Sequence, residues 1–294
     1  MENILEINGL CKSYEGFALR DVSFALPKGY IMGFVGQNGS GKTTTIRSIL
    51  NMAHPDSGKI SVFGLDSRKD SVKIREGLGI VFDSLYLADH LDAKHIEMQL
   101  RPFYSDWSKE EFFRRLKAFG LPDNKPVGEF SKGMKMKLMI AAALSHNARL
   151  MILDEPTSGL DPVARDELLD ILTEYIEDEE RSVLFSTHIT ADVERIADFI
   201  TVLHNGKVWF SGTKDDLAES YVVLKGSEED LPAAVREKCI GFHGYRNGFE
   251  ALLPTDHLAG LPGELEHEKA SIDEILVYIA KEDKNERASQ DTAV

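Results

Sequence analysis

The 294-residue sequence has little cysteine and no long apolar run. Its two cysteines, Cys11 and Cys239, stand far apart and do not make the closely spaced set of a disulfide-rich protein. The longest unbroken apolar run, residues 138–144, is too short to span a bilayer. No charged-then-apolar leader opens the sequence. We therefore expect a cytoplasmic protein whose role at a membrane, if it has one, comes through a partner.

Positive charge is also scarce. The sequence has 34 Lys and Arg residues against 49 Asp and Glu residues, a formal net charge of −15. Broad binding to DNA or RNA needs a basic surface, and so does binding to an anionic membrane surface. The charge balance therefore argues against nucleic acid as a partner, although it leaves room for a local phosphate pocket.

Short apolar runs alternate with stretches of helical periodicity along the first 218 residues. Residues 30–35 and 150–153 are apolar runs that predict buried strands, and residues 163–176 have helical spacing. Repeated strand–helix–strand units indicate an α/β fold with a mainly parallel sheet.

Two regions depart from this alternation. Residues 84–148 predict a helical insertion, in which Ser108 and Glu111 have the spacing of a capping box. Residues 219–294 predict a small C-terminal α+β domain, whose polar, acidic end is expected to fray from about Asp283.

A glycine-rich loop follows the predicted strand 30–35. Residues 36–43 match the pattern Gly-x-x-x-x-Gly-Lys-Thr, and a predicted helix begins at Lys42. Glycines let the backbone curl so that its N–H groups point at phosphate oxygens, and the helix N-terminus adds partial positive charge. Lys42 is expected to reach the β- and γ-phosphates of a nucleotide, and the Thr43 hydroxyl to ligate Mg²⁺. The predicted phosphate contacts come from Gly36, Asn38, Gly39, Ser40, Gly41, Lys42, Thr43 and Thr44.

Two adjacent carboxylates follow the predicted strand 150–153. Asp154 and Glu155 stand at its carboxyl end, which is where ligands bind in open α/β sheets. Asp154 is expected to hold the Mg²⁺ shell and Glu155 to polarise an attacking water. Such a loop and carboxylate pair also occur in GTPases, kinases and motor ATPases. Together they predict nucleotide hydrolysis without choosing among these classes.

A third motif, just before the acidic strand, separates the classes. Residues 130–134 read Phe-Ser-Lys-Gly-Met and open a predicted helix, where a Ser hydroxyl and free N–H groups make either an anion site or an ordinary helix cap. With this motif the sequence resembles the nucleotide-binding subunits of ATP-binding cassette (ABC) transporters over about residues 2–218. The matching motifs, in the family's order, are the Walker A loop (36–43), the signature loop (130–134), the Walker B strand (150–154), the D-loop (158–161) and the H-loop (186–188).

The resemblance implies a fold and a domain division. It implies a P-loop NTPase (RecA-like) core with a parallel sheet, preceded by an N-terminal antiparallel β subdomain and interrupted by the helical subdomain at 84–148. The cassette is then residues 1–218, and residues 219–294 form an accessory domain.

The resemblance also implies roles for side chains outside the phosphate loop. Tyr14 is expected to stack on adenine, although a half-buried strand aromatic is the simpler interpretation. His188 is expected to hydrogen-bond the γ-phosphate and to hold Glu155 or the water, although a lone histidine is more often structural. Ser131 and Gly133 are expected to contact the nucleotide of a second subunit. Asp161 is expected to bind nucleotide as part of the D-loop and to cap the helix that follows it. The predicted catalytic residues are Lys42, Glu155 and His188.

Three residues depart from the family's usual pattern. Asp83 stands where most members have Gln, and an ionised Asp can ligate Mg²⁺ but cannot donate a hydrogen bond. We therefore predict Asp83 as a metal ligand beside Thr43 and Asp154. Lys132 and Met134 stand in the signature loop where Gly and Gln are usual. The signature-loop sequence at residues 130–134 resembles that of the family's branch of small-drug, bacteriocin and peptide exporters in bacteria.

The resemblance finally implies cofactors and partners. The cofactors are ATP and Mg²⁺, and the partners are a second nucleotide-binding subunit and a membrane-spanning permease that holds the chain at the inner face of the cell membrane. We expect hydrolysis to power export of a small drug, peptide or lipid-like cargo. Two alternatives stay open: an ABC importer ATPase, and a soluble ABC-type ATPase on ribosomes or DNA. The single Walker A loop and the acidic composition disfavour the second.

Overall fold

The computed structural model describes residues 2–83, 88–259, 261–263 and 265–291, with side chains up to residue 282. The chain divides into two compact units, Met1–Ser211 and Gly212–Val294. The domain boundary at residue 218 stays a prediction from the sequence. In the part of the chain that is described, no helix is both long enough and apolar enough to cross a membrane.

The elements up to the boundary follow the predicted alternation. The strands are β1 (Asn3–Tyr14), β2 (Phe17–Pro27), β3 (Ile31–Val35), β4 (Ser57–Val62), β5 (Leu65–Asp66), β6 (Leu78–Val81), β7 (Leu150–Asp154), β8 (Ser182–Thr187), β9 (Phe199–His204) and β10 (Lys207–Thr213). The helices are α1 (Lys42–Ile49), α2 (Ser71–Glu76), α3 (Ala93–Leu100), α4 (Lys109–Ala118), α5 (Lys132–Leu144), α6 (Pro162–Tyr175) and α7 (Thr190–Ile196).

The larger sheet has the strand order β10-β9-β3-β8-β7-β6, and β9, β3, β8, β7 and β6 run parallel. Every residue of β3, β7 and β8 is buried, as expected where helices cover both faces of a parallel sheet. Val35 is paired with Thr187, and Asp154 with Ser186. The loops that follow these three strands therefore start side by side at the carboxyl edge, and the predicted α/β P-loop NTPase fold is confirmed.

The smaller sheet is antiparallel, in the order β2-β1-β4-β5. It shares one apolar core with the larger sheet, since Leu5 and Leu19 pack in the same cluster as Phe34, Ile152 and Leu184. This shared core fixes the β1–β2 hairpin against the parallel sheet.

The turn at Asn205 and Gly206 connects β9 to β10, and an Asn-Gly pair is typical of a tight hairpin turn. The Gly206 N–H donates to the Ser40 carbonyl (3.0 Å), and the Gly206 carbonyl accepts from the Arg20 N–H (2.7 Å). A Cβ atom at Gly206 would lie 1.9 Å from the Ala18 carbonyl oxygen. The turn therefore joins the β1–β2 hairpin to the phosphate loop through a residue that has no room for a side chain.

Helices α3, α4 and α5 pack around a separate apolar cluster that includes Phe112. Ser108 caps α4 as predicted, because its Oγ accepts from the Glu111 N–H (3.1 Å). The reciprocal half of the predicted capping box is wrong. The Glu111 carboxylate instead binds the guanidinium groups of Arg114 and Arg115, which are stronger, charge-assisted donors than a backbone N–H. The start of the predicted insertion, residues 84–87, lies outside the described residues.

The second unit is a small α+β domain. Its strands are β11 (Tyr221–Gly226), β12 (Ile240–Tyr245), β13 (Gly248–Pro254) and β14 (Glu266–Lys269), and its helices are α8 (Lys214–Ser220), α9 (Ala233–Arg236) and α10 (Ile272–Asp291). The strands form one antiparallel sheet in the order β12-β13-β11-β14, over a core that includes Leu224, Phe249 and Cys239. Helix α10 continues past Asp283, the point where fraying was predicted, and residues 292–294 lie outside the described residues.

Candidate active site

The phosphate loop connects β3 to α1 and depends on glycine for its path. Gly39 and Gly41 have φ values of 82° and 112°, in the left-handed region that glycine adopts without strain. A Cβ atom at Gly41 would lie 2.5 Å from Leu19 Cδ2, and one at Gly36 would lie 2.3 Å from the Leu203 carbonyl oxygen. The pattern of glycines therefore reflects both backbone conformation and close packing.

Lys42 is buried at the first turn of α1, with 6% of its side chain exposed. Its Nζ donates to the Gly36 carbonyl at 2.7 Å and to the Gln37 carbonyl at 3.4 Å. The same atom lies 3.2 Å from Oε1 of Glu155. The ammonium group therefore has three oxygen neighbours, one of them charged.

The two acidic residues at the end of β7 are held by β8. Asp154 is buried and accepts a hydrogen bond from the Ser186 hydroxyl at 2.5 Å. The Glu155 N–H donates to the Ser186 carbonyl at 3.1 Å. Glu155 has a φ of 51°, an uncommon conformation for a residue with a side chain. Glu155 is the first residue after β7, which ends at Asp154.

His188 directly follows β8 and contacts Glu155. Its Nδ1 lies 2.7 Å from Oε2 of Glu155, while Oε1 of the same carboxylate faces Lys42. An imidazole that donates through Nδ1 presents its Nε2 on the opposite side of the ring. The structure therefore brings together the three residues predicted to be catalytic, Lys42, Glu155 and His188.

A cavity of about 300 Å³ opens above the phosphate loop. It is lined by Phe17, Gln37, Asn38, Gly39, Gly41, Lys42, Thr43, Thr44 and Glu155. Two of the residues predicted to contact phosphate do not line it. Ser40 is buried and its hydroxyl has no hydrogen-bond partner among the described residues, and Gly36 lies behind the loop against Leu203.

The sequence did not single out Phe17, which lines the cavity. Phe17 is paired with Tyr14 across the β1–β2 turn. Tyr14 is 51% exposed at the edge of the same hairpin, with Lys12 Nζ 5.3 Å from the centre of its ring. An aromatic residue three positions after Tyr14 was the available signal, because a tight turn places both side chains at one end of the hairpin.

Ser131 is the N-cap of α5, and its Oγ accepts from the Met134 N–H at 3.2 Å. Gly133 packs against the next helix, because a Cβ atom there would lie 3.3 Å from Ala164 Cβ. None of the hydrogen bonds or ion pairs of the described residues joins Ser131 or Gly133 to the phosphate loop.

Known proteins are similar to this chain in sequence and in fold. The family model described as ABC transporter matches residues 19–158. The ABC transporter ATP-binding protein NatA of Bacillus subtilis is 35% identical over 210 residues, which cover 69% of this chain and 85% of NatA.

This chain belongs to the ABC transporter family of ATP-binding subunits.

Two further comparisons extend this assignment. The bacitracin transport ATP-binding protein BcrA of Bacillus licheniformis is 30% identical over 271 residues, 90% of this chain and 89% of BcrA. A solved ATP-binding cassette, a dimer in a post-hydrolysis state bound to ADP and Pi, has a TM-score of 0.63 and 25% identity over 71% of this chain and 98% of that chain. The predicted family and the predicted ATPase activity are confirmed.

In this ABC subunit the D-loop residue Asp161 is the N-cap of α6. Its Oδ1 accepts from the N–H groups of Val163 and Ala164, both at 3.0 Å, and Pro162 follows at the first helical position. The predicted cap is therefore present, while a contact of Asp161 with nucleotide stays a prediction.

The residues predicted to ligate metal in the ABC subunit occupy different surroundings. Thr43 lines the cavity, Asp154 is buried beside Ser186, and Asp83 is exposed beyond β6. In the residues that the structure describes, no three His, Cys, Asp or Glu side chains converge on a common point. Mg²⁺ in phosphoryl-transfer sites takes one or two carboxylates, water and substrate phosphates, so Thr43 and Asp154 suit the ion without a third protein ligand. Asp83 stays a prediction.

Proposed function

We propose that this ABC subunit hydrolyses Mg²⁺-ATP in a sandwich with a second cassette, and that the cycle powers export of a small drug, peptide or lipid-like cargo. The export path is a separate permease, which holds the subunit at the inner face of the cell membrane. The direct contact of Glu155 with both Lys42 and His188 carries the hydrolytic part of the proposal.

Nucleotide binding uses the cavity above the phosphate loop. Backbone N–H groups of residues 38–43 and the first turn of α1 attract the phosphates, and Lys42 exchanges its present oxygen neighbours for phosphate oxygens. Phe17 and Tyr14 supply aromatic surface for the base at the hairpin end.

Hydrolysis uses Glu155 as the general base. Its carboxylate accepts a proton from water as the water attacks the γ-phosphorus, and the bond between that phosphorus and the β–γ bridging oxygen breaks. Lys42 meets the negative charge that develops on the transferring group, and His188 orients the Glu155 carboxylate. Thr43 and Asp154 would hold Mg²⁺, which would neutralise charge on the β- and γ-phosphates.

A second cassette completes the site. Ser131 and Gly133 stand at a helix N-terminus, which suits an anion, yet no hydrogen bond or ion pair of the described residues joins them to the phosphate loop of their own chain. We therefore assign them to the nucleotide bound by the second subunit, whether that subunit is identical or different. The similarity to a cassette solved as a dimer supports this arrangement.

The direction and class of cargo are inferred from similarity. The match to BcrA spans 271 residues, more than the 218 residues of the predicted cassette, so it reaches into the C-terminal region. A relative named for bacitracin transport supports a peptide or drug as cargo. The net charge of −15 supports a protein partner over a nucleic acid.

ATP-driven dimerisation tests the sandwich. Glu155→Gln keeps the size of the side chain and removes the base, so ATP is bound and not turned over. We expect this variant to form dimers with Mg²⁺-ATP, measured by size-exclusion chromatography with light scattering, and to stay monomeric with ADP. A variant that binds ATP yet stays monomeric at every protein concentration would contradict the sandwich.

Co-purification tests the permease. A tagged chain, recovered from its native membrane in mild detergent, is expected to bring with it a membrane-spanning protein that mass spectrometry identifies. Recovery with ribosomal proteins, and with no membrane protein above the untagged control, would instead favour the ribosome-associated alternative.

A further inference from the structure

Asp192 is a buried carboxylate that the proposed chemistry does not use. It lies on α7, four residues after His188, and has no solvent exposure. Its Oδ2 accepts a hydrogen bond from the Thr157 hydroxyl at 2.6 Å, and its Oδ1 accepts one from Arg165 Nε at 2.5 Å. Removing one partner from a buried ion pair leaves the other charge uncompensated, so this arrangement strongly constrains all three side chains.

The two partners of Asp192 stand on either side of the D-loop. Thr157 follows Glu155 by two residues, and Arg165 lies in the first turn of α6, beyond Asp161. The Asp192 carboxylate therefore binds one residue before and one residue after the D-loop (residues 158–161). Asp192 itself lies on α7, the helix that begins just after the H-loop.

Asp192 continues a series of contacts between the same two segments. Ser186 binds Asp154 and Glu155, and His188 binds Glu155. The Asp192 contacts lie farther along both segments, past the reacting residues. A shift of α7 relative to the D-loop would therefore move the His188 and Glu155 side chains as well.

The first turn of α6 also packs against the signature loop of the same chain. Gly133 packs against Ala164, the neighbour of Arg165, with only 3.3 Å between Ala164 Cβ and a Cβ built at Gly133. Lys132 Nζ lies 3.3 Å from the position that a Cβ atom would take at Gly159 in the D-loop. Contacts and chain neighbours together therefore link Glu155 to Asp192 through Thr157, and Asp192 to the signature loop through Arg165 and Ala164.

We propose that Asp192 is a positioning residue for ATP hydrolysis, which sets the D-loop and signature loop relative to the Glu155–His188 pair through Thr157 and Arg165. This inference rests on the proposed sandwich. It assigns Asp192 no contact with nucleotide, since neither Asp192 nor its two partners line the cavity.

The proposal predicts a specific kinetic change. Thr157→Val, Arg165→Gln and Asp192→Asn each remove one contact and keep the approximate size of the side chain. We expect kcat for ATP hydrolysis by the full chain to fall about tenfold, with KM for ATP within about twofold of wild type. The phosphate loop and the hairpin are unchanged in these variants, so binding of a fluorescent ATP analogue is retained.

Arg195 provides a matched control. It also joins α7 to α6, through Asp170 at 2.7 Å and through Asp166, but its contacts are exposed and none involves the D-loop. Arg195→Gln is expected to hydrolyse ATP within about twofold of wild type. An equal loss in Arg195→Gln would show that any link between the two helices suffices, and would overturn the proposal.

A double variant separates positioning from general destabilisation. Thr157 and Arg165 act through the same carboxylate, so the double variant is expected to lose little more than either single variant. Multiplying losses, about a hundredfold in kcat, would mean independent effects and would overturn the proposal. If circular dichroism shows that Asp192→Asn does not fold, the kcat values of the Thr157 and Arg165 variants still test the proposal.

Failure of this inference is distinguishable from failure of the proposed function. If the wild-type chain shows no ATP hydrolysis and Glu155→Gln never dimerises, the proposed function fails and this inference fails with it. If the wild-type chain is active and the Thr157 and Arg165 variants match it in kcat, or change KM alone, only the assignment of Asp192 fails.

Discussion

Nζ of Lys42 lies 3.2 Å from Oε1 of Glu155 at the wall of the phosphate-loop cavity. Because only 6% of the Lys42 side chain and 18% of the Glu155 side chain are exposed, water and salt screen this attraction less than they screen a surface pair. A phosphate group that binds Lys42 therefore competes with the carboxylate that later activates water.

This competition predicts that Glu155→Gln binds ATP more tightly. Removing the negative charge frees Lys42 for phosphate, and an interaction of about 1 kcal/mol corresponds to an affinity about fivefold higher. Titration with a fluorescent ATP analogue measures the change. Glu167→Gln, which removes the exposed partner of Lys137, is the control and should leave the affinity unchanged. Weaker binding by Glu155→Gln would contradict the competition.

Phe17 is expected to contribute to nucleotide affinity together with Tyr14. Because Phe17 lines the cavity, Phe17→Ala should raise KM for ATP by about five- to tenfold, the loss expected for one aromatic contact, with kcat little changed. Phe17→Leu, which keeps apolar packing without the ring, should have an intermediate effect. If only Tyr14→Ala raises KM, the base binds at the exposed edge of the hairpin and away from Phe17.

Asp83 is expected to support the metal. Strands β6 and β7 run parallel, with Val81 paired with Leu153. Asp83 and Glu155 each follow two residues after this pair, where the two strands end. Asp83→Ala should raise the Mg²⁺ concentration for half-maximal hydrolysis several-fold. Asp83→Asn, which keeps an oxygen ligand without the charge, should fall between. An unchanged Mg²⁺ profile would remove Asp83 from the site.

His146 makes the helical subdomain sensitive to acid. Its ring is buried and stacks on Tyr104, with 3.8 Å between ring centres. Burial lowers the pKa of His146 to about 4, below the value of about 6.5 for an unfolded chain. Between these pH values the unfolded state binds more protons, so the free energy of unfolding falls as pH drops. The total loss is about 3 kcal/mol; it begins at about pH 7 and is complete only below about pH 4.

His146→Phe tests this prediction, because phenylalanine can stack on Tyr104 and does not titrate. Urea unfolding at pH 7.5 and pH 5 should show a smaller loss of stability for this variant than for wild type. Glu111→Gln is the companion variant. Hydrogen bonds from Arg114 and then Arg115 lower the pKa of Glu111 to about 2, so its contribution is lost only at much lower pH. Equal pH dependence of wild type and His146→Phe would contradict the role of His146.

The features that could be predicted from the sequence are those that depend only on residues close by along the chain. The phosphate loop needs glycine for its backbone, and buried parallel strands such as β3 and β7 need continuous apolar runs. Helix caps are set by the first turn alone: the predicted cap at Asp161 is confirmed, and Ser131 caps α5, which was one of the two alternatives for it.

The residues that sequence missed depend on distant partners. Asp192 belongs to no sequence motif. Its structural role depends on its contacts with Thr157 and Arg165, which are 35 and 27 positions away. Glu111 is a different case, because the residues that compete for its carboxylate are local. It had the correct spacing for a capping box, but Arg114 and Arg115, three and four positions later on the same helix, bind the carboxylate instead.

Gly206 has a consequence for genetics. Its turn is bonded to both the hairpin that carries Phe17 and the loop that carries Ser40, and it has no space for a Cβ atom. A substitution there would push the hairpin and the phosphate loop apart, and both are proposed to bind ATP. In a screen for loss of ATP hydrolysis, alleles of Gly206 should therefore be recovered as alleles of the phosphate loop are, although this residue lies outside every familiar motif.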